Sequence, residues 1–534
     1  MPERPRVGIP RECLAPHAIA RWARETPDQV AVEQIDGPSF RYRELDHSVR
    51  RWAGALRRLG VTRGEHVATM LPNDFLAQNA WMGLAWLGAL EVPVNPAHQG
   101  PLLQYTLAQS DTTTLLIAGE FVERLAAVAA ELPLLERVVI LGDAPRARGL
   151  DLPFEIVTGD ALLAGAEPAF DLPGPVYRDI AAMLYTSGTT GPSKGVLVPW
   201  ALLYDFWSWV PEDALRRGEA VYCAFPLVHN SGRSCFNSAL VRGARFVFRE
   251  RFSAASFWDD VRRAQCQTAC LVGPMTALLA AAPPRSDDAD NPLRSILCGP
   301  LIPEIEEFKR RFGVEIATCY GMTETGIVVT TDWNHGPWQN CGRARGDYPW
   351  PEVRIVDEND EPVATGAVGE LIVRSAEPWA LNAGYYKMPE KTAEAWRNGW
   401  FHTGDAFRCD EDGWYYLVDR LKDSIRRRGE NISSFEVEAV VRGFSGVVDC
   451  AAIAVPAALG EDEVMLVIET PEPDAFSPDA LLAWLEPRMP RFMLPRYVER
   501  VSALPRNATT QRVKKHELRA RGLGPDTWDR LGGA

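Results

Sequence analysis

Between residues 66 and 330, short and continuously apolar runs alternate with stretches of helical apolar spacing. HVATML (66–71), LEVPVN (90–95), TTLLIAG (113–119), RVVIL (137–141), AAMLYTS (181–187), RFVFRE (245–250), TACLVG (268–273) and SILCG (295–299) read as strands. FLAQNAWMGLAWLGAL (75–90) reads as a helix. Strands that are apolar on both faces and separated by helices imply parallel sheets covered on each side. After about residue 345 the rhythm shortens to hairpin-like pieces, VRIVDENDEPV, GELIVRS and GWYYLVDR, with DEND as a turn. The charged run DRLKDSIRRRGEN (419–431) marks a boundary. Beyond it, SFEVEAVVRGF and PDALLAWLEPRM read as helices, and AAIAVPA and EVMLVIET as strands. The expected fold is α/β. A large N-terminal domain, 1–419, has parallel or mixed sheets covered by helices plus a β-rich subdomain. A small α+β domain, 420–534, follows it.

Length agrees with more than one domain: the chain has 534 residues, and a single core rarely grows past ~250–300. The formal net charge of −14 disfavours nucleic acid and anionic membrane as partners. The ten cysteines show neither a CxxC pair nor a zinc spacing, so reduced, mostly buried thiols are expected. The N-terminus lacks the apolar core of a signal peptide, and no run approaches the ~18 residues that span a bilayer. A cytoplasmic location is expected. Oligomeric state, monomer or homodimer, stays open.

The strongest local signal is TSGTTGPSKG, from Thr186 to Gly195, directly after an apolar strand. Thr186, Ser187, Thr189 and Thr190 offer hydroxyls; Gly188 and Gly191 let backbone N–H groups approach a ligand; Lys194 adds a positive charge. Such a segment suits a polyphosphate. A mobile, small-residue surface loop is the plainer reading. It is not a Walker loop, since Ser193 stands where that motif needs glycine, and no GxGxxG occurs.

TSGTTGPSKG resembles the signature of the adenylate-forming superfamily, which includes acyl- and aryl-CoA synthetases. Further motifs follow in the family order from RYRELD (41–46) to VKKHELR (513–519), most like the carnitine/crotonobetaine-CoA ligase group. The resemblance implies ATP, Mg²⁺ and CoA as cofactors, and a small C-terminal domain that moves about a hinge near 419–423. In YGMTET (320–325), it implies that Tyr320 stacks on adenine with Gly321 beside it, Thr323 holds the α-phosphate and Glu324 binds Mg²⁺. Gly299 and Pro300 look like the adenine-facing loop. Asp405 in GWFHTGD and Arg420 resemble the ribose-binding pair. Lys422 falls at the hinge position, and Gly429 beside the pantetheine tunnel. Arg426, Arg427 and Arg428 meet CoA phosphates or form a solvated basic patch.

The substrate side departs from the family pattern. His229 in PLVHNSG takes the place of a pocket wall and gate, followed by Asn230 and Arg233, with Cys298 and Cys319 near pocket-lining positions. A polar, medium-sized pocket is expected, suited to an aromatic acid or one with a second charge that faces Arg233. The family's late lysine falls on Arg512, with Lys514 and Lys515 as substitutes, and Arg is a planar fork rather than a point donor. The leading expectation is an acid–CoA ligase. The alternatives keep the ATP chemistry but change the acid or acceptor: an amine, a carrier thiol, or nitrite activation for diazotisation of an aromatic amine. A non-enzymatic binding protein is a third reading, opposed by the intact motif residues.

Overall fold

The computed structural model describes residues 8–186, 192–345, 351–420, 424–427, 430–457, 461–471, 476–506 and 513–532. Two largely parallel sheets form the N-terminal half, as the apolar runs predict. The first orders Leu90–Pro93, His66–Met70, Thr114–Ala118, Arg137–Leu141 and Glu155–Thr158, all parallel. The second orders Glu315–Ala317, Ser295–Cys298, Thr268–Leu271, Ala220–Cys223, Arg245–Phe248 and Val30–Gln34 in parallel, with antiparallel Ser39–Arg41 at its edge.

The helix Phe75–Leu87 packs between these layers. Asp74 caps it, accepting from the Leu76 N–H at 2.8 Å, and Gly88 at φ +74° ends it. It is apolar around most of its circumference and is correspondingly buried, with Trp81 stacked on Trp200 at 5.6 Å.

One strand pairs differently from the sequence expectation. AAMLYTS forms Ile180–Thr186, but it is antiparallel to Lys194–Pro199, with Thr186 opposite Lys194. The glycine- and hydroxyl-rich segment therefore joins two strands of a hairpin rather than opening a helix. KGVLVP is apolar enough to fold back and bury Val196 and Val198.

The β-rich part is an antiparallel sheet that runs from Cys319–Met322 through Gly326–Thr330, Gly342–Ala344, Trp414–Arg420, Trp400–Cys409 and Gly369–Arg374 to Glu352–Val356. The C-terminal unit pairs Ser424–Arg427 with Glu430–Ser433. It also stacks a separate sheet, Asp449–Pro456, Asp462–Glu469, Tyr497–Val501 and Trp528–Asp529, against its own helices. Its core includes one residue from the N-terminal half, Leu102. Beside Leu102, Gln99 donates to the carbonyls of Glu486 at 2.8 Å and Met489 at 3.0 Å. Among the described residues no helix is long and apolar enough to cross a membrane.

Candidate active site

A cavity of about 510 Å³ opens where the hairpin, the antiparallel sheet and the C-terminal unit meet. Thr186, Lys194, His229, Asn230, Gly321, Thr323, Glu324 and Asp405 all line it, although more than 200 positions separate the first from the last.

The hairpin register sets Thr186 and Lys194 side by side at its open end. The Lys194 ammonium lies 4.3 Å over the Tyr385 ring, and the Tyr385 hydroxyl donates to Glu324 Oε1 at 3.1 Å. A cation, a phenol and a carboxylate thus form one chain along the wall. Asn382 fixes the Glu324 backbone: its N–H and its carboxamide both donate to the Glu324 carbonyl, at 2.9 and 3.0 Å. Glu324 is nearly buried yet still lines the cavity. The described residues contain no group of three or more His, Cys, Asp or Glu arranged to hold a metal. Mg²⁺ that arrives with a triphosphate needs only one or two carboxylates, so Glu324 fits that guest.

Further along the wall, Asp405 is buried, and its Oδ2 accepts from the Tyr320 hydroxyl at 2.6 Å. The Tyr320 ring meets Phe407 edge-on at 4.7 Å. Asp405 lies opposite Arg420 in the strand pairing. Gly299 and Pro300, joined by a cis peptide, lie outside the cavity lining. So does Tyr320 itself.

His229 precedes the helix Asn230–Val241, and its Nε2 stands 3.3 Å from the carboxylate of Glu430 in the C-terminal unit. Burial is the largest influence and pulls the His229 pKa down, but the charge and hydrogen bond of Glu430 outweigh it. The imidazole titrates above its ordinary 6.5. For Glu430, burial pushes up, while the charge and bond of His229 and the charge of His98 hold the carboxyl below its ordinary range. His98 is on the same wall. Burial drives its pKa down to about 4, and its Nδ1 has no partner among the described residues.

Several sequence expectations require correction. Arg233 does not face a ligand. It is 2% exposed, its Nη1 lies 2.5 Å from Glu91 Oε2, and its guanidinium covers Trp81 at 4.3 Å. Thr69 donates to the other Glu91 oxygen at 2.6 Å, so the positive charge is neutralised inside the protein. Cys298 is buried against Thr276 at 3.1 Å, and neither it nor Cys319 lines the cavity. Each side chain leaves its strand toward the packed face rather than the open one. Arg427 is neither a solvated residue nor exposed to CoA: it is 2% exposed, donates to the carbonyls of Phe492 and Leu494, and pairs with Glu463. Lys515 bonds Ser434 and Glu438, while Lys514 meets Glu517.

Ser187, Gly188, Thr189, Thr190, Gly191, Lys422, Arg428, Gly429 and Arg512 lie outside the described residues, as does the Arg420 side chain. Sequence reasoning missed His98, Tyr385, Glu430 and Glu436. The sequence signal for Glu430 is its place directly after Gly429, and Glu436 carries none.

The AMP-binding enzyme model matches residues 19–386, and the AMP-binding enzyme C-terminal domain model matches 436–511. A crotonobetaine/carnitine–CoA ligase of Salmonella heidelberg (strain SL476) is 30% identical over 494 residues, covering 89% of this chain and 92% of that one. Among solved structures, the amide bond synthetase McbA of Marinactinospora thermotolerans superposes with a TM-score of 0.79 at 24% identity, covering 95% of this chain and 99% of that one. A doubly substituted o-succinylbenzoate CoA synthetase of Bacillus subtilis gives 0.78 at 23%, covering 95% and 98%.

Proposed function

The chain belongs to the AMP-binding enzyme family, and from that premise we propose that it activates a small aromatic or polar carboxylic acid as acyl-AMP and then transfers the acyl group to CoA. One observation carries this reading. One cavity is lined by Thr186, Lys194, Thr323, Glu324, Asp405, His229 and Asn230; in this reading the first four serve the phosphates, Asp405 the ribose, and His229 with Asn230 the acid.

In the first step a carboxylate oxygen attacks the α-phosphorus of ATP, the bond to the β-phosphate oxygen breaks, and pyrophosphate leaves. The chain's part is alignment and charge neutralisation. Lys194 brings a positive charge beside the strand end, and Thr186 and Thr323 bring hydroxyl donors. Glu324, oriented by Tyr385, would hold Mg²⁺, which supplies Lewis acidity toward the phosphate oxygens when bound. In the second step a thiol sulfur attacks the acyl carbonyl and AMP departs.

We further propose that residues 1–419 and 420–534 are the two moving bodies, joined by a hinge at 419–423. The arrangement described here, with Glu430 on His229, suits the transfer step, because the C-terminal unit closes the acid side of the cavity.

The acid pocket reads as polar, and Arg233 supplies it no free charge. Arg233 is committed to Glu91, whereas Asn230 lines the cavity and its Nδ2 has no partner among the described residues. A neutral acceptor on the acid, such as a hydroxyl or carbonyl oxygen, suits that donor without bringing in a second charge that Arg233 is not free to neutralise. A substrate carboxylate facing Arg233 would have fitted the diazotisation alternative, which loses that support.

Mass spectrometry after incubation with ATP, CoA and a panel of hydroxy- and aminoaryl acids tests the reading. The expected product is an acyl-CoA thioester with one pyrophosphate per turnover. Pyrophosphate release without any thioester across the panel would instead mean another acceptor.

A further inference from the structure

We propose that Glu370 is a positioning residue for the nucleotide ribose: its carboxylate fixes the bulge that turns Asp405 into the cavity. The inference rests on the adenylate-forming reading and on its assignment of Asp405 to the ribose, and it adds a residue to which that reading gives no role.

The bulge is set by strand register. Glu370 lies opposite Ala406 and Ile372 opposite His402, so two steps along Gly369–Arg374 face four along Trp400–Cys409. The surplus length, from Thr403 to Asp405, has to leave the regular ladder. Gly404 there has φ +73°, a conformation that glycine takes without the penalty of a Cβ. Side chains then supply acceptors for the displaced backbone. The Gly404 N–H donates to Glu370 Oε1 at 2.9 Å, and the Asp405 N–H donates to the Thr403 hydroxyl oxygen at 3.1 Å. That hydroxyl donates in turn to the Leu371 carbonyl at 2.6 Å. Glu370, Thr403, Gly404 and Asp405 all line the cavity.

Glu370 is itself held from the far side. Its Oε2 stands 3.0 Å from His402 Nδ1 and 3.9 Å from the Arg397 guanidinium. Arg397 is anchored on Asp360 at 2.8 Å and reaches His402 Nδ1 at 3.1 Å. One carboxylate oxygen therefore faces a fixed ionic framework, and the other faces the bulge. A backbone N–H bonded to an ionised oxygen is among the stronger hydrogen bonds. This one bears on the residue immediately before Asp405. A Gly404 released from it carries the Asp405 carboxylate away from its place, and small misplacements of a contacting group are costly. Bulges beside binding sites commonly serve to re-aim one side chain in this way.

Calorimetric titration of the full chain with Mg²⁺-ATP and with the Mg²⁺ complex of dideoxy-ATP, which lacks both ribose hydroxyls, reads the ribose contact as a ratio of affinities. The parent should prefer ATP by about 10²-fold, since two hydroxyls donate to one carboxylate. Glu370→Ala should cut that preference about tenfold. Glu370→Gln keeps an oxygen for the Gly404 N–H and should restore most of it. Thr403→Val removes the other side-chain acceptor of the bulge without touching His402 and should also lower the ratio, so the test stands even where Glu370→Ala does not fold. A residue that merely supports folding would weaken both nucleotides alike and leave the ratio unchanged. An unchanged ratio in Glu370→Ala and Thr403→Val, or a Glu370→Gln variant as poor as Glu370→Ala, overturns the proposal and leaves the adenylate-forming reading intact. A parent that binds the two nucleotides equally overturns the ribose assignment as well.

Discussion

Arg233 shows how a single residue can mislead. Its position four residues after His229 suggests a substrate contact, yet its partner Glu91 lies 142 positions upstream in a run read as an apolar strand. A lone carboxylate inside LEVPVN was the only sign that a buried partner was needed. Breaking such a pair leaves an uncompensated charge, so Arg233→Met alone should cost about 3–5 kcal/mol of stability. Arg233→Met with Glu91→Leu should recover most of that loss in urea unfolding; a double variant no better than the single would refute the pairing argument. His98 supplies a pH test. Its folded pKa, about 4, lies below the ordinary 6.5 because burial disfavours the charged form. The unfolded chain therefore binds more protons between those values. The stability His98 contributes is present above about pH 6.5 and is lost as pH falls toward 4. His98→Asn should flatten that part of the melting-temperature profile. By contrast, Thr186, Lys194, Thr323, Glu324 and Asp405 could be picked out because each sits in a motif whose spacing is local. Their common cavity wall follows from the fold.

At the scale of elements, strand positions were legible but pairings were not. Apolar runs mark Ile180–Thr186 as surely as Thr114–Ala118, yet one is antiparallel in a hairpin and the other central in a parallel sheet. Periodicity records burial on two faces and says nothing about the neighbour's direction. The helix Asn230–Val241 depends on a close seat at its start. A Cβ on Gly232 would stand 2.4 Å from the Pro226 carbonyl oxygen and 2.8 Å from that of Phe225, both fixed backbone. Gly232→Ala must displace the turn that carries His229. It should lower kcat/KM by about tenfold or more, since small misplacements in a site are costly. Steady-state kinetics beside a circular dichroism spectrum would separate that loss from unfolding; an unaffected rate would show that His229 tolerates the shift.

For the whole molecule, the charged run at 419–431 led to an expected boundary, but it carried no sign of how the chain on either side meets. That depends on contacts remote in sequence: Gln99 with Glu486 and Met489, His229 with Glu430, and Ser193 with Glu436. No local pattern encodes these contacts. The central claim is that this cavity grips the triphosphate of ATP, with the metal carried on Glu324, while an acid attacks it. Exchange of labelled pyrophosphate into ATP, run with and without a hydroxyaryl acid and repeated with Glu324→Gln, measures that step alone. The account predicts exchange that requires the acid and falls by about 10²–10³ in the variant. Acid-independent exchange, or exchange untouched by loss of that carboxylate, would contradict it.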